Sequence, residues 1–288
     1  MSQARTWQPG DVSAVVCTMN SIASIEPCLE SLKEAGVGEI IVVDASSTDG
    51  TRAIADQLAT TVLQDPGTGL GNARNIGIAE TTKDLILNMG SDNVLPSGQL
   101  ELMIEELQTG NYSGVSAQTR IEVANYPSKG LNAWRQGRFP PGPAAVIGTP
   151  TLFRGDLLRT NPFDSERVFS DDSELCERWT REFGATFAIS RAEVLERGKT
   201  SWKEVKIRAR MYGVSDYEIF HDLRKSREDV RRQCESILHP LASDLVTPVR
   251  RLPISVSVPL LPFFLAFTGM RYSFWVKRSL GSPFSQGH

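Results

Sequence analysis

Two short runs constrain the fold more than anything else in the chain: VSAVVC at Val12 to Cys17 and EIIVVD at Glu39 to Asp44. Both are dense in apolar, β-branched residues, the composition of buried strands. Between them Ile25, Cys28, Leu29 and Leu32 share one side of a helical stretch from Ile22 to Leu32, which Gly36 and Gly38 stop. Strand, helix, strand is a crossover unit, the start of a parallel sheet.

The pattern continues in order. Asp49 can cap a helix beginning near Thr51 and running through Ile54, Ala55 and Leu58. Thr61 to Leu63 reads as a short third strand. Gly67, Gly69 and Gly71 open another helix holding Arg74 and Asn75. Their spacing matches neither the Walker loop nor the dinucleotide fingerprint, and no lysine follows, so as a phosphate cradle the loop is weak by itself. Leu85-Ile86-Leu87 then enters a polar turn, Gly90-Ser91-Asp92, closed by Val94-Leu95-Pro96. An acidic turn at the carboxyl end of such a strand is where open α/β sheets place ligand chemistry. Taken singly, Asp44, Asp49 and Asp92 also fit turn or cap roles, and Arg74 a surface ion pair.

Gly98 to Leu107 reads as a helix and Tyr112 to Gln118 as a strand. Residues 120–148, rich in proline and glycine around Trp134, Arg135 and Arg138, read as a loop lining the site. There Arg138 is either a phosphate contact or a solvated loop charge. Thr151 to Arg154 is a return strand. Asp171 and Asp172 precede a helix carrying Leu175, Cys176, Trp179 and Phe183, where acids gain from free amides and the dipole.

Four segments, VSAVVCTMN, EIIVVDASSTDGT, GLGNARNIGI and DLILNMGSDNVLP, resemble in order and interval those of the inverting family 2 glycosyltransferases, over roughly residues 10–190. The resemblance implies an α/β GT-A fold, a mostly parallel central sheet flanked by helices. A donor half would span about 10–118 and an acceptor half 119–190, followed by a C-terminal extension over 191–288. It implies a nucleotide-diphospho-sugar donor bound by Thr18, Asn20, Asp44, Ser46, Arg74, Asn75, Ser91 and Asp92. Asp44 would meet the base, and Asp92 would hold Mg2+ or Mn2+ on the diphosphate. Asp171 and Asp172 resemble the acidic pair that supplies the general base, Asp172 first and Asp171 as runner-up. Trp134, Arg138 and Trp179 would line the acceptor side, the acceptor being a glycan or lipid-linked hydroxyl. Two departures stand out: Ala45 where a second acid is usual, and Gly90 where the metal turn begins with an acid. They keep open a catalytically weakened homologue serving as a membrane-associated binding or scaffold subunit. The ending Glu177-Arg178-Trp179 resembles the Q-x-x-R-W motif of processive synthases, but Leu175 replaces the glutamine, which implies single-sugar addition.

Charge is divided unevenly. Residues 1–190 hold 14 Lys/Arg against 24 Asp/Glu, a balance of −10, while residues 191–288 hold 17 against 10, a balance of +7. The overall −3 gives no reason to expect nucleic acid, but a basic tail suits an anionic surface. Cys17, Cys28, Cys176 and Cys234 lack paired spacing, and His221, His239 and His288 are scattered, so a reducing compartment without a zinc or histidine metal site is expected. The N-terminus has no apolar core of a secretory signal.

Residues 191–235 read as helices. Residues 252–270 carry no charge, yet Pro253, Pro259 and Pro262 should break a stretch barely reaching the about 20 residues a span needs. With Arg250 and Arg251 before it and Arg271, Lys277 and Arg278 after, an interfacial or re-entrant anchor is expected, Tyr272 and Trp275 sitting at the interface. The family resemblance implies that the face of the cell membrane is the cytoplasmic one. A buried tail or an oligomer contact is the alternative.

Overall fold

The structure, a computed structural model, describes residues 6–165, 171–225 and 230–281. Residues 226–229 of the expected helical tail, and His288, lie outside the described residues. The elements follow as β1 (Val12–Thr18), α1 (Ile25–Glu34), β2 (Glu39–Asp44), α2 (Thr51–Leu58), β3 (Thr61–Gln64), α3 (Leu70–Ala79), β4 (Leu85–Gly90) and β5 (Asn93–Val94). Next come α4 (Gln99–Thr109), β6 (Gly114–Ile121), α5 (Tyr126–Arg138), β7 (Gly142–Ala144), β8 (Thr151–Arg154), α6 (Gly155–Thr160), α7 (Asp171–Phe183) and β9 (Phe187–Glu196). The chain ends in α8 (Trp202–Lys225), α9 (Val230–Leu241), α10 (Thr247–Arg251) and α11 (Ile254–Ser279), with a π-helical turn, Ala242–Val246, before α10.

Two compact units result, Met1–Arg120 with Pro140–Arg197, and Ile121–Phe139 with Gly198–His288. The break near residue 190 expected from the sequence therefore falls at Arg197, and α5 belongs with the C-terminal segment. Residues 191–196, expected to be helical, complete strand β9.

In the first unit the sheet runs β3-β2-β1-β4-β8-β6-β9-β5, with β7 on β9. The parallel sheet expected from the crossover pattern is its first half, where β3, β2, β1 and β4 pair in parallel. β8 pairs antiparallel with both β4 and β6, and β9 pairs antiparallel with β5 and β7, so the whole sheet is mixed. Alternation along the strands separates two cores. Val12, Ala14, Val16, Ile40, Val42, Leu85 and Leu87 pack with α1, α2 and α4. Val15, Val43, Ile86 and Phe153 pack with α3, α6 and α7. Gly77 lets α3 lie close on the sheet: a Cβ there would stand 2.5 Å from a Val15 methyl and 3.0 Å from one of Val43.

The second unit is helical, around Leu131, Trp134, Val205, Ala209, Leu260, Phe263, Phe264 and Phe267. Its α5 replaces the loop expected over 120–148. Asn125 accepts a bond from the Ser128 N–H, and a proline stands in the first turn, two start signals that the glycines further on obscured. α11 runs through Pro259 and Pro262, which the sequence reading took as breaks. The α8–α11 contact is close, since a Cβ on Gly213 would lie 2.3 Å from the Arg271 carbonyl oxygen. Arg271, expected as a basic flank, is 1% exposed. It bonds both oxygens of Asp216 at 2.5 and 2.7 Å and both of Asp244 at 2.9 and 2.7 Å.

Candidate active site

The carboxyl ends of the parallel strands converge by register. Thr18 pairs with Asp44 across β1 and β2, and Cys17 with Gly90 across β1 and β4. Asp44 is 1% exposed. One of its oxygens accepts the Ser47 N–H at 3.1 Å, while the other, like the Thr18 hydroxyl, is buried without a hydrogen-bond partner in the protein. Such atoms each cost about 1–3 kcal/mol when left unsatisfied. Two of them side by side at strand ends fit the polar part of a ligand. Asn88 and Thr151, paired across β4 and β8, also carry buried side-chain atoms without protein partners. The sequence reading missed both, although Asn88 interrupts an otherwise apolar run.

The loops above these ends are tied together. Asn20 and Ser46 adopt left-handed backbone conformations, φ 49° and 56°. The Asn20 N–H donates to the Ser47 hydroxyl and its amide oxygen accepts the Thr48 N–H. The Ser46 hydroxyl accepts from Gln64 at 2.9 Å. Asp49 accepts from the Thr51 hydroxyl and N–H and from the Ile22 N–H, and the Thr51 hydroxyl bond chiefly lowers its pKa. It therefore performs the turn role expected of it at the start of α2. The Ser91 and Ser21 hydroxyls stand 3.0 Å apart.

In the turn after β4, the Gly90 N–H donates to the Asn93 side chain at 3.2 Å, and the Asp92 carbonyl accepts the Arg197 N–H at 3.0 Å. A Cβ on Gly90 would point between the carboxylate of Asp92 and the amide of Asn93, 3.0 Å from an oxygen of each. The missing first acid would thus have stood against Asp92. Among the described residues no group of three or more His, Cys, Asp or Glu side chains could hold a metal ion. Asp92, with Ser91 beside it, fits a hard cation that takes its remaining oxygens from a substrate and water, the usual manner for Mg2+.

Arg74 joins α3 to α7. Its Nη1 donates to Asp171 at 2.5 Å and to Asp172 at 3.2 Å, and its Nη2 to the Thr149 hydroxyl at 2.7 Å. The guanidinium lies over the Phe163 ring, 5.1 Å from its centroid. Burial disfavours the charge on Arg74, but the two carboxylates outweigh it and raise its pKa. Burial pushes Asp172 up to about 6 against the pull of Arg74, with Asp171 adding to the rise. The Asp172 side chain keeps 24% exposure, so it remains reachable. A reachable carboxylate titrating near neutrality, held by a fixed cation, has the properties of a general base.

Three comparisons bear on this geometry. The model of the family described as "Glycosyl transferase family 2" matches residues 13–162, just over half of the chain. The chain belongs to this family. Its glycosyltransferase relatives include the succinoglycan biosynthesis protein ExoO of Rhizobium meliloti, 30% identical over 58% of this chain and 48% of that one. An uncharacterized glycosyltransferase of Rickettsia felis is 38% identical over 33% of this chain and 32% of that one. The chain thus spans a third to a half of the length of these relatives. Among solved structures, the mannosyltransferase PcManGT of Pyrobaculum calidifontis, in complex with GDP-Man and Mn2+, superposes with TM-score 0.62 at 17% identity, covering 96% of this chain and 87% of that one. S. aureus TarS in complex with UDP gives 0.51 at 17%, covering 95% and 93%. At these identities the likeness establishes the GT-A fold.

In this member of the family, several expected site residues make structural contacts. Asn75 spends its amide on both backbone groups of Phe163, donating at 2.8 Å and accepting at 3.0 Å. Trp179 is fully buried among Phe153, Phe183 and Phe187, and its indole donates to the Asn161 carbonyl at 3.0 Å, so it is a core residue and not an acceptor contact. Trp134 and Arg138 belong to α5 of the helical unit, where both donate to Asp244, at 3.0 and 2.6 Å. Thr149, bonded to Arg74, was not anticipated; nothing in its local sequence marks it.

Proposed function

We propose that the chain is an inverting glycosyltransferase that moves a sugar from a nucleotide-diphosphate donor to a hydroxyl of a glycan or lipid-linked acceptor. The observation that carries the reading is the alignment of Thr18, Asp44 and Gly90 at neighbouring strand ends, with two unsatisfied buried oxygens among them. Asp44 and Thr18 bind the nucleotide. Asp92 would hold a Mg2+ or Mn2+ beside the diphosphate site. When bound, that ion stabilises the negative charge collecting on the leaving group. PcManGT, crystallised with GDP-Man and Mn2+, supports this assignment by analogy of fold.

Asp172 takes the proton of the acceptor hydroxyl as its oxygen bonds to the anomeric carbon. The bond to the diphosphate breaks and its electron pair leaves with that group. Arg74 positions the base, and Asp171 completes the pairing. One displacement needs no covalent nucleophile, and it inverts the anomeric centre.

Calorimetric titration of UDP, GDP and their sugar forms, with and without Mn2+, tests the reading. Metal-strengthened binding of one nucleotide, lost in Asp92→Asn, is expected, with no tight uptake of Mn2+ alone because Asp92 is a single carboxylate. Absence of binding in a folded sample sinks it. Binding without transfer to any acceptor fraction favours a weakened homologue acting as a binding subunit, the alternative that Ala45 and Gly90 keep open.

A further inference from the structure

α11 is long and apolar enough to cross a membrane, yet its faces are put to different uses. Leu260, Phe263, Phe264, Phe267 and Arg271 form a buried face on the core of the helical unit. Arg271 is pinned there by Asp216 and Asp244, and Gly130 leaves room for Phe263, 2.3 Å from where a Cβ would stand. Drawing α11 into a bilayer as a span would strip both carboxylates from a buried cation and uncover that face.

The other face is uncovered already. Ile254, Val258, Leu261 and Leu265, spaced by four, three and four residues, form one stripe; Ile254 is 78% and Val258 62% exposed. Pro259 and Pro262 are exposed beside it. Two half-exposed aromatics border the stripe. The Tyr126 hydroxyl donates to the Pro259 carbonyl at 3.3 Å, and Trp202 packs 5.8 Å from Phe263. One turn along α8 from Trp202 comes Lys206, with Lys203 adjacent, both exposed.

We propose that this face is a monotopic docking surface for an anionic lipid bilayer, with α11 lying in the plane of the interface. The stripe enters the acyl boundary, Tyr126 and Trp202 sit at headgroup level, and the lysines meet lipid phosphate. Charge decides between occupants. Lys203 and Lys206 stand exposed beside the stripe. Their segment, residues 198–288, holds 15 Lys/Arg against 8 Asp/Glu, a balance of +7, which favours an anionic membrane over an uncharged one or a second, equally basic copy. The inference goes beyond the proposed function, and its test reads vesicle binding, not sugar transfer.

Purified protein is mixed with vesicles of 70:30 phosphatidylcholine:phosphatidylglycerol, or of phosphatidylcholine alone, and separated by flotation. Salt-reversible binding favouring the anionic vesicles is expected. Val258→Asp/Leu265→Asp should weaken it about tenfold or more, and Lys203→Gln/Lys206→Gln about fivefold per lysine. Both variants should keep the thermal midpoint and the nucleotide binding of the parent, which separates failure here from failure of the transferase reading. No binding of the parent to either vesicle overturns the proposal, as does unchanged binding by both variants. A parent dimer that Val258→Asp/Leu265→Asp dissociates also overturns it, assigning the face to a second copy.

Discussion

Arg74→Met isolates the contact on which the candidate base depends. The guanidinium side chain is 8% exposed and faces the Asp171 and Asp172 side chains, 11% and 24% exposed. Methionine keeps much of the volume against Phe163 but leaves two carboxylates without their cation. Removing one partner of a buried pair costs about 3–5 kcal/mol. At 2–4 °C per kcal/mol for a unit of this size, the midpoint falls by roughly 10 °C. The variant also loses the main influence holding down the Asp172 pKa, which then rises above its value of about 6. In the folded protein Asp172 already binds its proton more readily than in the unfolded chain, so its contribution to stability is largest at low pH and is lost as pH rises through about 6. Arg74 reduces that loss. The stability deficit of Arg74→Met is therefore smallest below about pH 6, where Asp172 is protonated in both proteins, and grows as pH rises above it. Thermal unfolding across this range measures both effects, and adding Asp171→Asn should recover part of the deficit. A loss under about 1 kcal/mol at pH 7, or a deficit that does not vary with pH, refutes the clamp.

Three further outcomes follow from the same geometry. Transfer by the parent should lose its base as pH falls through about 6, and the acid limb should move to higher pH in Arg74→Met, read from initial rates in buffers of constant ionic strength. Gly77→Ala should destabilise by about 1–3 kcal/mol in denaturant titration, because the new methyl overlaps Val15 and pushes α3, and Arg74 with it, off the sheet. Asp244→Asn should cost about 3–5 kcal/mol, since it weakens the partner of Arg138 and Arg271 in the helical unit; a loss below about 1 kcal/mol would remove Asp244 from the role of buried counter-ion.

What could be read from the chain alone was local. The runs at Val12, Glu39 and Leu85 carry their own period and composition, so the strands and the positions of Asp44 and Asp92 at their ends were legible before any contact was known. Asp171 and Asp172 were legible as acids at a helix start, and the four segments identified the family. Arg74 was placed near the donor, but its bond to Asp171 spans 97 residues, and no periodicity reports a partner so far away. Trp134 and Arg138 looked like site residues because the prolines and glycines around them suggest a loop. Tertiary structure made them a helix anchored on Asp244, which lies 110 residues from Trp134.

The same distinction holds at the end of the chain. Sequence determined that residues 252–270 are uncharged and must be removed from water, because hydrophobicity is a property of each side chain. Only the fold decided that one face of α11 does so against a protein core while Ile254, Val258, Leu261 and Leu265 stay uncovered, and that Arg271 faces inward. Burying an arginine depends on carboxylates delivered by other helices, Asp216 and Asp244, and their arrival is a three-dimensional event.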